Sequence, residues 1–284
     1  MTLDPNIILS MPPLVTRQSI TPKDVMLYAL GVGATELPFV YEDGLATLPT
    51  MAVVMAYPGF FWRDPKYGVT WQKIVHAETG FTLHAPLPVE GELVGTTHYG
   101  PIFDKGADKG AILYHTREVR TAAGELIATV RNTSFFRGDG GFGGTSEGQP
   151  IPHPVPERAP DLIETMATSV DQAKLYRLGS GDMNPLHVDP ATARTAGLDK
   201  PILHGLCTFG VAGRALLKAL AANQPARIRR MDARFSSPVF PGDTIETAIW
   251  REGDGQEGQK QAAFRCRVVE RDKIVLNNGY VKFS

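Results

Sequence analysis

The chain has 284 residues, of which 43% are hydrophobic and 21% are charged, as is typical of a globular protein with room for two domains. Its 29 basic and 30 acidic residues give a formal charge of −1, so the overall charge indicates neither a nucleic-acid partner nor a membrane partner. Two cysteines cannot make a disulfide framework, and the N-terminus lacks the pattern of a signal peptide, so we expect a cytoplasmic protein.

One phrase occurs twice along the chain. The segment LYALGVGATELPF, residues 27–39, has the pattern of a helix followed by a turn. The segment LYRLGSGDMNPLH repeats its first two leucines, its tyrosine and its glycines 148 positions later (175 − 27 = 148). The copies differ where reactive groups stand, because Asp182 corresponds to Ala34 and His187 corresponds to Phe39.

Each copy is followed by segments in which apolar and polar residues alternate, as in antiparallel strands. These are GAILYHTREVRT and ELIATVRNTSFF in the first half, and DTIETAIWRE, QAAFRCRVVE and KIVLNNGYVKF in the second. Between the halves, Gly138, Gly140 and Gly143 match the spacing of a dinucleotide fingerprint. The following GTSEGQPIPHPVP cannot open the helix that such a site needs, so we interpret the stretch as a linker.

Two helices can be placed in more detail. Thr21 is expected to cap the first one. The longest helical pattern, His204 to Ala222, mixes large apolar residues with alanine and glycine, which indicates a helix buried against a sheet. The predicted class is therefore α+β and duplicated, with domains at residues 1–146 and 159–284 and a Gly/Pro-rich linker at residues 147–158.

The segment from Asp182 to His187 has two interpretations. Asp182 and Asn184 suit a sharp turn before a helix capped by Asp189, and His187 could simply bond the backbone. However, the first copy makes its turn without the aspartate and the histidine. Their presence in one copy alone favours a chemical function. The seven histidines show no metal-ligand spacing, so we predict no metal site.

The same segment resembles the signature of the MaoC-like, (R)-specific enoyl-CoA hydratases, with Tyr176, Ser180, Gly-Asp-x-Asn-Pro-x-His and Asp189. PILHGL resembles the second block of that family, and DVMLYALGVGA, LPFVYED, DKG and GGFGG look like the N-terminal half of its type-two members. The resemblance covers nearly the whole chain. It implies two tandem hot-dog domains, each a curled antiparallel sheet around a central helix, and leaves open whether the first domain has that helix. It also implies a homodimer.

The implied reaction is hydration of a trans-2-enoyl-CoA to a (3R)-3-hydroxyacyl-CoA in fatty-acid or sterol side-chain β-oxidation. This reaction needs a positioned water, a proton for C2 and stabilisation of charge on the thioester oxygen. Asp182 and His187 can hold the water and move its proton. Asn184 can fix the substrate or the carboxylate. The backbone N–H of Gly205, at the start of the long helix, is the expected oxyanion donor.

Matching motifs imply further substrate contacts. His76, Lys105 and Phe235 would touch the CoA thioester, although Ala77 stands where relatives have glycine, and His76 and Phe235 could equally be core residues. The predicted substrate-binding set also includes Met183, Pro185 and Leu186. Coenzyme A belongs to the substrate, so no separate cofactor is predicted. Two alternatives stay open: a hot-dog acyl-CoA thioesterase, and a non-catalytic acyl-CoA-binding module.

Overall fold

The computed structural model describes residues 3–254 and 259–284. The helices are α1 (Pro5–Leu9), α2 (Pro22–Gly31), α3 (Leu37–Val40), α4 (Gln172–Ser180), α5 (Pro190–Thr195) and α6 (Gly205–Ala221). The strands are β1 (Leu14–Ile20), β2 (Ile74–Leu83), β3 (Gly91–Asp104), β4 (Ala111–Thr121), β5 (Leu126–Phe136), β6 (Leu162–Ala167), β7 (Ile228–Phe235), β8 (Thr244–Asp254), β9 (Lys260–Val268) and β10 (Lys273–Phe283). Short 3₁₀ helices occupy Pro49–Val53, Phe61–Arg63, Pro65–Tyr67, Trp71–Lys73, Pro185–His187 and Pro225–Arg227.

Within the described residues the strands form one sheet in the order β1-β3-β4-β5-β2-β7-β10-β9-β8-β6. The first five strands are ordered 1-3-4-5-2, and the last five repeat that order as 6-8-9-10-7, so each half of the chain builds the same five-stranded antiparallel sheet. The halves join where β2 pairs with β7, with Thr79 opposite Ala233. The predicted α+β class and the duplication are confirmed.

The repeated phrase forms the contact between α2 and α4. A Cβ atom on Gly31 would lie 3.0 Å from the Cα of Tyr176, and one on Gly179 would lie 2.6 Å from the carbonyl carbon of Leu27. Each repeated glycine therefore lets the other helix approach closely. The rings of Tyr28 and Tyr176 lie 6.0 Å apart across the same contact. The shared residues of the two copies thus hold the two halves together.

The two halves differ in what covers the inner face of the sheet. In the second half α6 lies against β6, β7, β8 and β10, as predicted. Its Phe209 also contacts Phe81 of β2 in the first half, with ring centroids 6.2 Å apart. Between α2 and β2, residues that the structure describes throughout, the first half has only α3 and 3₁₀ helices. The 3₁₀ helix Pro49–Val53 packs against α6 and β2 in that space. None of the described helices is long and apolar enough to cross a membrane.

The glycine-rich stretch after β5 lies in a described segment, residues 137–161, that contains no helix or strand. The backbone N–H groups of Gly141 and Gly143 donate to the Asp104 carboxylate at 2.7 and 2.8 Å. One glycine of the spacing that resembles a dinucleotide fingerprint, Gly143, therefore makes a contact within the first half. The domain boundaries at residues 146 and 159 stay a prediction.

Candidate active site

The turn after α4 holds the Asp182 side chain. Gly181 takes a φ of 73°, a left-handed conformation that favours glycine and turns the chain away from the helix. The Asp182 N–H donates to the Oγ of Ser180 at 3.2 Å, and the Asn184 N–H donates to an Asp182 carboxylate oxygen at 3.1 Å. The carboxylate is thus held half-buried in the turn, with part of its surface open to a ligand.

Asn184 and His187 are linked through a 3₁₀ helix. The side-chain oxygen of Asn184 accepts the N–H of Leu186 at 3.2 Å and caps this helix, which ends at His187. His187 is buried, and its Nδ1 lies 2.9 Å from the Ile202 carbonyl oxygen. Because a carbonyl only accepts, Nδ1 carries the proton and Nε2 has a free lone pair. Burial lowers the pKa of His187, which favours the neutral ring.

His204 is a member of this cluster that the sequence analysis did not single out. It is only 1% exposed, and its ring stacks on His187 with centroids 3.7 Å apart. Its Nε2 lies 3.3 Å from the Asp182 carbonyl oxygen, so Nε2 is the donor. Burial, and after it the neighbouring His187, lowers the pKa of His204 to about 3. Its place in PILHGL beside Gly205 was a signal, but only the tertiary structure shows the stack.

A carboxylate oxygen of Asp182 and one ring nitrogen each from His187 and His204 lie within 4.8 Å of one another. These groups are also common metal ligands. However, the lone pair of an imidazole nitrogen lies in the plane of its ring, and the two planes are only 26° apart. The two lone pairs therefore do not converge on one ion. A separation of at most 4.8 Å between the carboxylate oxygen and a His187 ring nitrogen leaves room for one water between the two side chains.

Gly205 begins α6 and is exposed to solvent. As the first residue of a helix of 17 residues, it has an N–H group without an intrahelical acceptor, at the positive end of the helix dipole. No hydrogen bond from this N–H occurs within residues 3–254 and 259–284. A Cβ atom at this position would lie 3.2 Å from the Phe235 ring, so glycine keeps the approach to the N–H open.

Phe235 and His76 form the wall opposite Gly205. The Phe235 and His76 rings lie 5.1 Å apart, and the His76 Nε2 lies 3.0 Å from the side-chain oxygen of Asn132. The pairing of β2 with β5 shifts by one residue at Ala77, which makes a β-bulge. Ala77 is not among the residues with positive φ, so the backbone at the bulge tolerates a Cβ. The structure thus places Phe235 beside Gly205 and His76 beside Phe235, and the contact of both residues with the thioester stays a prediction.

A pocket of about 60 Å³ opens beside these residues. Leu206, which follows Gly205 in α6, contributes to its rim. Burial raises the pKa of Tyr57 in the pocket wall to about 12, and the neighbouring Arg117 opposes this rise. The lining residues are Val53, Tyr57, Phe60, Phe61, Trp62, Ile74, His76, His115, Asn132, Ser134 and Leu206.

The other predicted contact residues lie outside this pocket. Met183 and Pro185 are exposed and Leu186 is half-buried, all three on the loop between α4 and α5. Lys105 follows β3 and lines a separate surface cavity together with Arg137. The substrate contacts of these four residues stay predictions.

Comparisons with known proteins agree with this division of the chain. Residues 19–138 match the family model of the MFE-2 hydratase 2 N-terminal domain, and residues 153–275 match that of the MaoC-like domain. The 3-hydroxyacyl-thioester dehydratase Y of Mycobacterium tuberculosis is 41% identical over 298 residues, which cover 100% of this chain and 99% of that protein. The crystal structure of a MaoC-like dehydratase from Phytophthora capsici is 32% identical, superposes with a TM-score of 0.89 and covers 99% of both chains.

A more distant structure identifies the fold alone. A Mycobacterium tuberculosis protein described as a double hot-dog fold superposes with a TM-score of 0.58 at 13% identity, over 96% of each chain. The predicted pair of tandem hot-dog domains is thereby confirmed, with the long central helix found in the second one. On the whole-chain identity and the two consecutive domain matches, the chain belongs to the MaoC-like, type-two enoyl-CoA hydratase family.

Proposed function

We propose that the protein catalyses the reversible, (R)-specific hydration of trans-2-enoyl-CoA to (3R)-3-hydroxyacyl-CoA in fatty-acid or sterol side-chain β-oxidation. One observation carries the proposal: the Asp182–His187 pair lies at the end of α6 where the Gly205 N–H is exposed. His204 connects the two, because it stacks on His187 and directly precedes Gly205. A whole-chain relative named a 3-hydroxyacyl-thioester dehydratase supports the reverse direction of the same reaction.

The groups act in one step on a bound substrate. The thioester oxygen accepts the Gly205 N–H, and the C2=C3 bond faces a water held by the Asp182 carboxylate and the His187 Nε2. The water oxygen bonds to C3 while one of its protons passes to the Asp182–His187 pair. Electron density moves to the thioester oxygen, where the Gly205 N–H stabilises it. The pair returns a proton to C2, so one water has been added and both side chains are restored.

The direct test uses crotonyl-CoA and separates the three candidate functions. We expect loss of the enoyl absorbance without release of free thiol, and a 3R product on chiral analysis. Free thiol appearing while the enoyl absorbance persists would show a thioesterase. Tight binding of acyl-CoA with neither change would show a non-catalytic binding module.

The proposal includes no metal, no cofactor besides the substrate's coenzyme A, a cytoplasmic location and a homodimer. Treatment with a chelator followed by gel filtration tests the absence of a metal. We expect turnover to be unchanged, whereas a loss of turnover would contradict this part of the proposal. Analytical ultracentrifugation tests the dimer, and a single species at the monomer mass would contradict it. Fractionation of the producing cells tests the location.

A further inference from the structure

The inner face of the first-half sheet is polar where it borders the pocket. Tyr99 of β3 pairs with His115 of β4, His115 pairs with Asn132 of β5, and Asn132 pairs with Thr79 of β2. Side chains that are directly opposite in antiparallel strands are close neighbours. These four residues therefore form a continuous polar row across four strands, with Ser134 beside it in the pocket wall.

Two members of the row have hydrogen-bonding atoms that no other group of the described residues satisfies. His115 is 7% exposed; its Nε2 lies 3.3 Å from the Ser134 Oγ, and its buried Nδ1 has no partner within the part of the chain that the structure describes. The Asn132 side-chain oxygen accepts the Thr79 hydroxyl at 3.0 Å and lies 3.0 Å from the His76 Nε2. The Asn132 Nδ2 donates to no atom of the described residues, although both residues line the pocket.

This polarity is not a general property of the fold. In the second half, Phe264, Cys266 and Val268 of β9 are fully buried, and the buried Thr247 of β8 has a partner in the Cys266 thiol. Polar groups line the inner face in the half without a long central helix, where a ligand can occupy the space. The pattern therefore points to recognition of a ligand rather than to packing.

The pocket ends against aromatic side chains. Phe61 and Trp62 have ring centroids 4.5 Å apart, and Trp62 packs on Tyr67 and Phe136 at 5.0 and 5.1 Å. Trp62 is only 3% exposed, so this wall is closed. A volume of about 60 Å³ accommodates about four waters, or an acyl tail of a few carbons.

We propose that this pocket selects short 2-enoyl thioesters whose acyl group carries a hydroxyl or carbonyl oxygen beyond C3, an inference that rests on the proposed function. An alkyl tail would leave the His115 Nδ1 and the Asn132 Nδ2 without a hydrogen-bonding partner, which is unfavourable for buried polar groups. A substrate oxygen that reaches these two atoms would hydrogen-bond to them. Sites built to bond a substrate oxygen strongly reject the analogue that lacks it.

The test compares matched pairs of trans-2-enoyl-CoAs of five to ten carbons, in which a terminal hydroxyl replaces the terminal methyl group. At one or two lengths we expect kcat/KM of the hydroxylated member to exceed that of its alkyl partner at least about tenfold. His115→Phe and Asn132→Leu should each bring this ratio towards one, whereas damage to the fold would lower both rates alike. Leu113→Met, on the same strand and inner face, is the matched control and should keep the ratio.

Three outcomes bear on the inference. Equal or faster hydration of the alkyl member at every length would overturn it, and so would a hydroxyl preference that survives both pocket variants. Failure to hydrate any enoyl-CoA, crotonyl-CoA included, would instead contradict the proposed function. Calorimetric binding of the same pairs to the Asp182→Asn variant measures the selectivity without turnover and still decides the inference in that case.

Discussion

The rings of His187 and His204 stack with centroids 3.7 Å apart and planes 26° apart, and the same His204 ring bonds the Asp182 backbone carbonyl at 3.3 Å. One buried side chain thus contacts both members of the proposed catalytic pair. Two imidazolium charges at this distance would repel, so the stack favours neutral rings. We infer that His204 is a positioning residue that holds the His187 Nε2 towards the water.

Removing either member of the pair should abolish the chemistry. For Asp182→Asn and for His187→Ala we expect kcat to fall about 10²- to 10⁴-fold, because both groups act on one water. The double variant should be little worse than either single one. The loss of enoyl absorbance from crotonyl-CoA measures the rates, and circular dichroism checks that each variant is folded. Turnover near that of the unmodified protein in either variant would contradict the assignment.

A side chain at Gly205 should obstruct the oxyanion position. Gly205→Ala places a Cβ 3.2 Å from the Phe235 ring and beside the free N–H, so we expect kcat/KM to fall about 100-fold. The double variant with Phe235→Leu removes the contact with the ring but keeps the Cβ. Full recovery in the double variant would show that displacement of Phe235, and not loss of the oxyanion contact, caused the defect.

The activity should persist at pH values below the ordinary pKa of histidine. His187 must be neutral to accept a proton, and burial lowers its pKa from 6.5. The acid limb of the kcat/KM profile, which reports groups of the free enzyme, should therefore lie below pH 6.5. A limb at or above pH 6.5 that disappears in a His187 variant would show that the ring is not desolvated as the structure indicates.

His204 should make the fold sensitive to acid. Its pKa is about 3 in the folded chain and near 6.5 unfolded, so between these values the unfolded chain binds a proton that the folded one does not. The free energy of unfolding then falls on acidification by about 1.4 kcal/mol per pH unit. His204→Phe keeps an aromatic ring but cannot titrate, so urea unfolding at pH 7 and 4.5 should show a smaller loss. Equal losses would contradict the assignment.

Trp62 should limit the length of the acyl group. Trp62→Ala opens the end wall of the pocket, so we expect kcat/KM for ten-carbon enoyl-CoA to rise relative to crotonyl-CoA. The truncation should also lower the free energy of unfolding by about 3–5 kcal/mol. Trp250→Ala is the matched control, because Trp250 is equally buried but lies in β8 of the other half. A similar change of length preference in both variants would indicate general loosening.

The opposite character of the two copies of the repeated phrase has a structural cause. Ala34 and Phe39, which stand where the second copy has Asp182 and His187, are 0% and 2% exposed in the main hydrophobic core. The first copy therefore ends in the hydrophobic core, while the second ends in the polar cluster of Asp182, His187 and His204 at the start of α6. Sequence comparison of the copies identified the reactive positions, but the reason for the difference required the packing.

The helix caps and the positions of helices and strands could be predicted from the sequence alone. Thr21 caps α2 with Asp24 in a reciprocal pair, Asp189 caps α5, and α6 begins one residue after His204, all as predicted. The alternating segments form strands of the sheet. These features depend on residues close in sequence, whose hydrogen bonds and periodicity act over one or two turns.

The arrangement of the site was decided by contacts between distant segments. The stack of His204 on His187 joins residues 17 positions apart in sequence (204 − 187 = 17), and the pocket wall combines strands of the first half with Leu206 of the second. The pattern of polar and apolar residues indicates which face of a helix or strand is buried, but it does not indicate which other element packs against that face. Only the pairing of the two sheets and the docking of α6 bring these groups together.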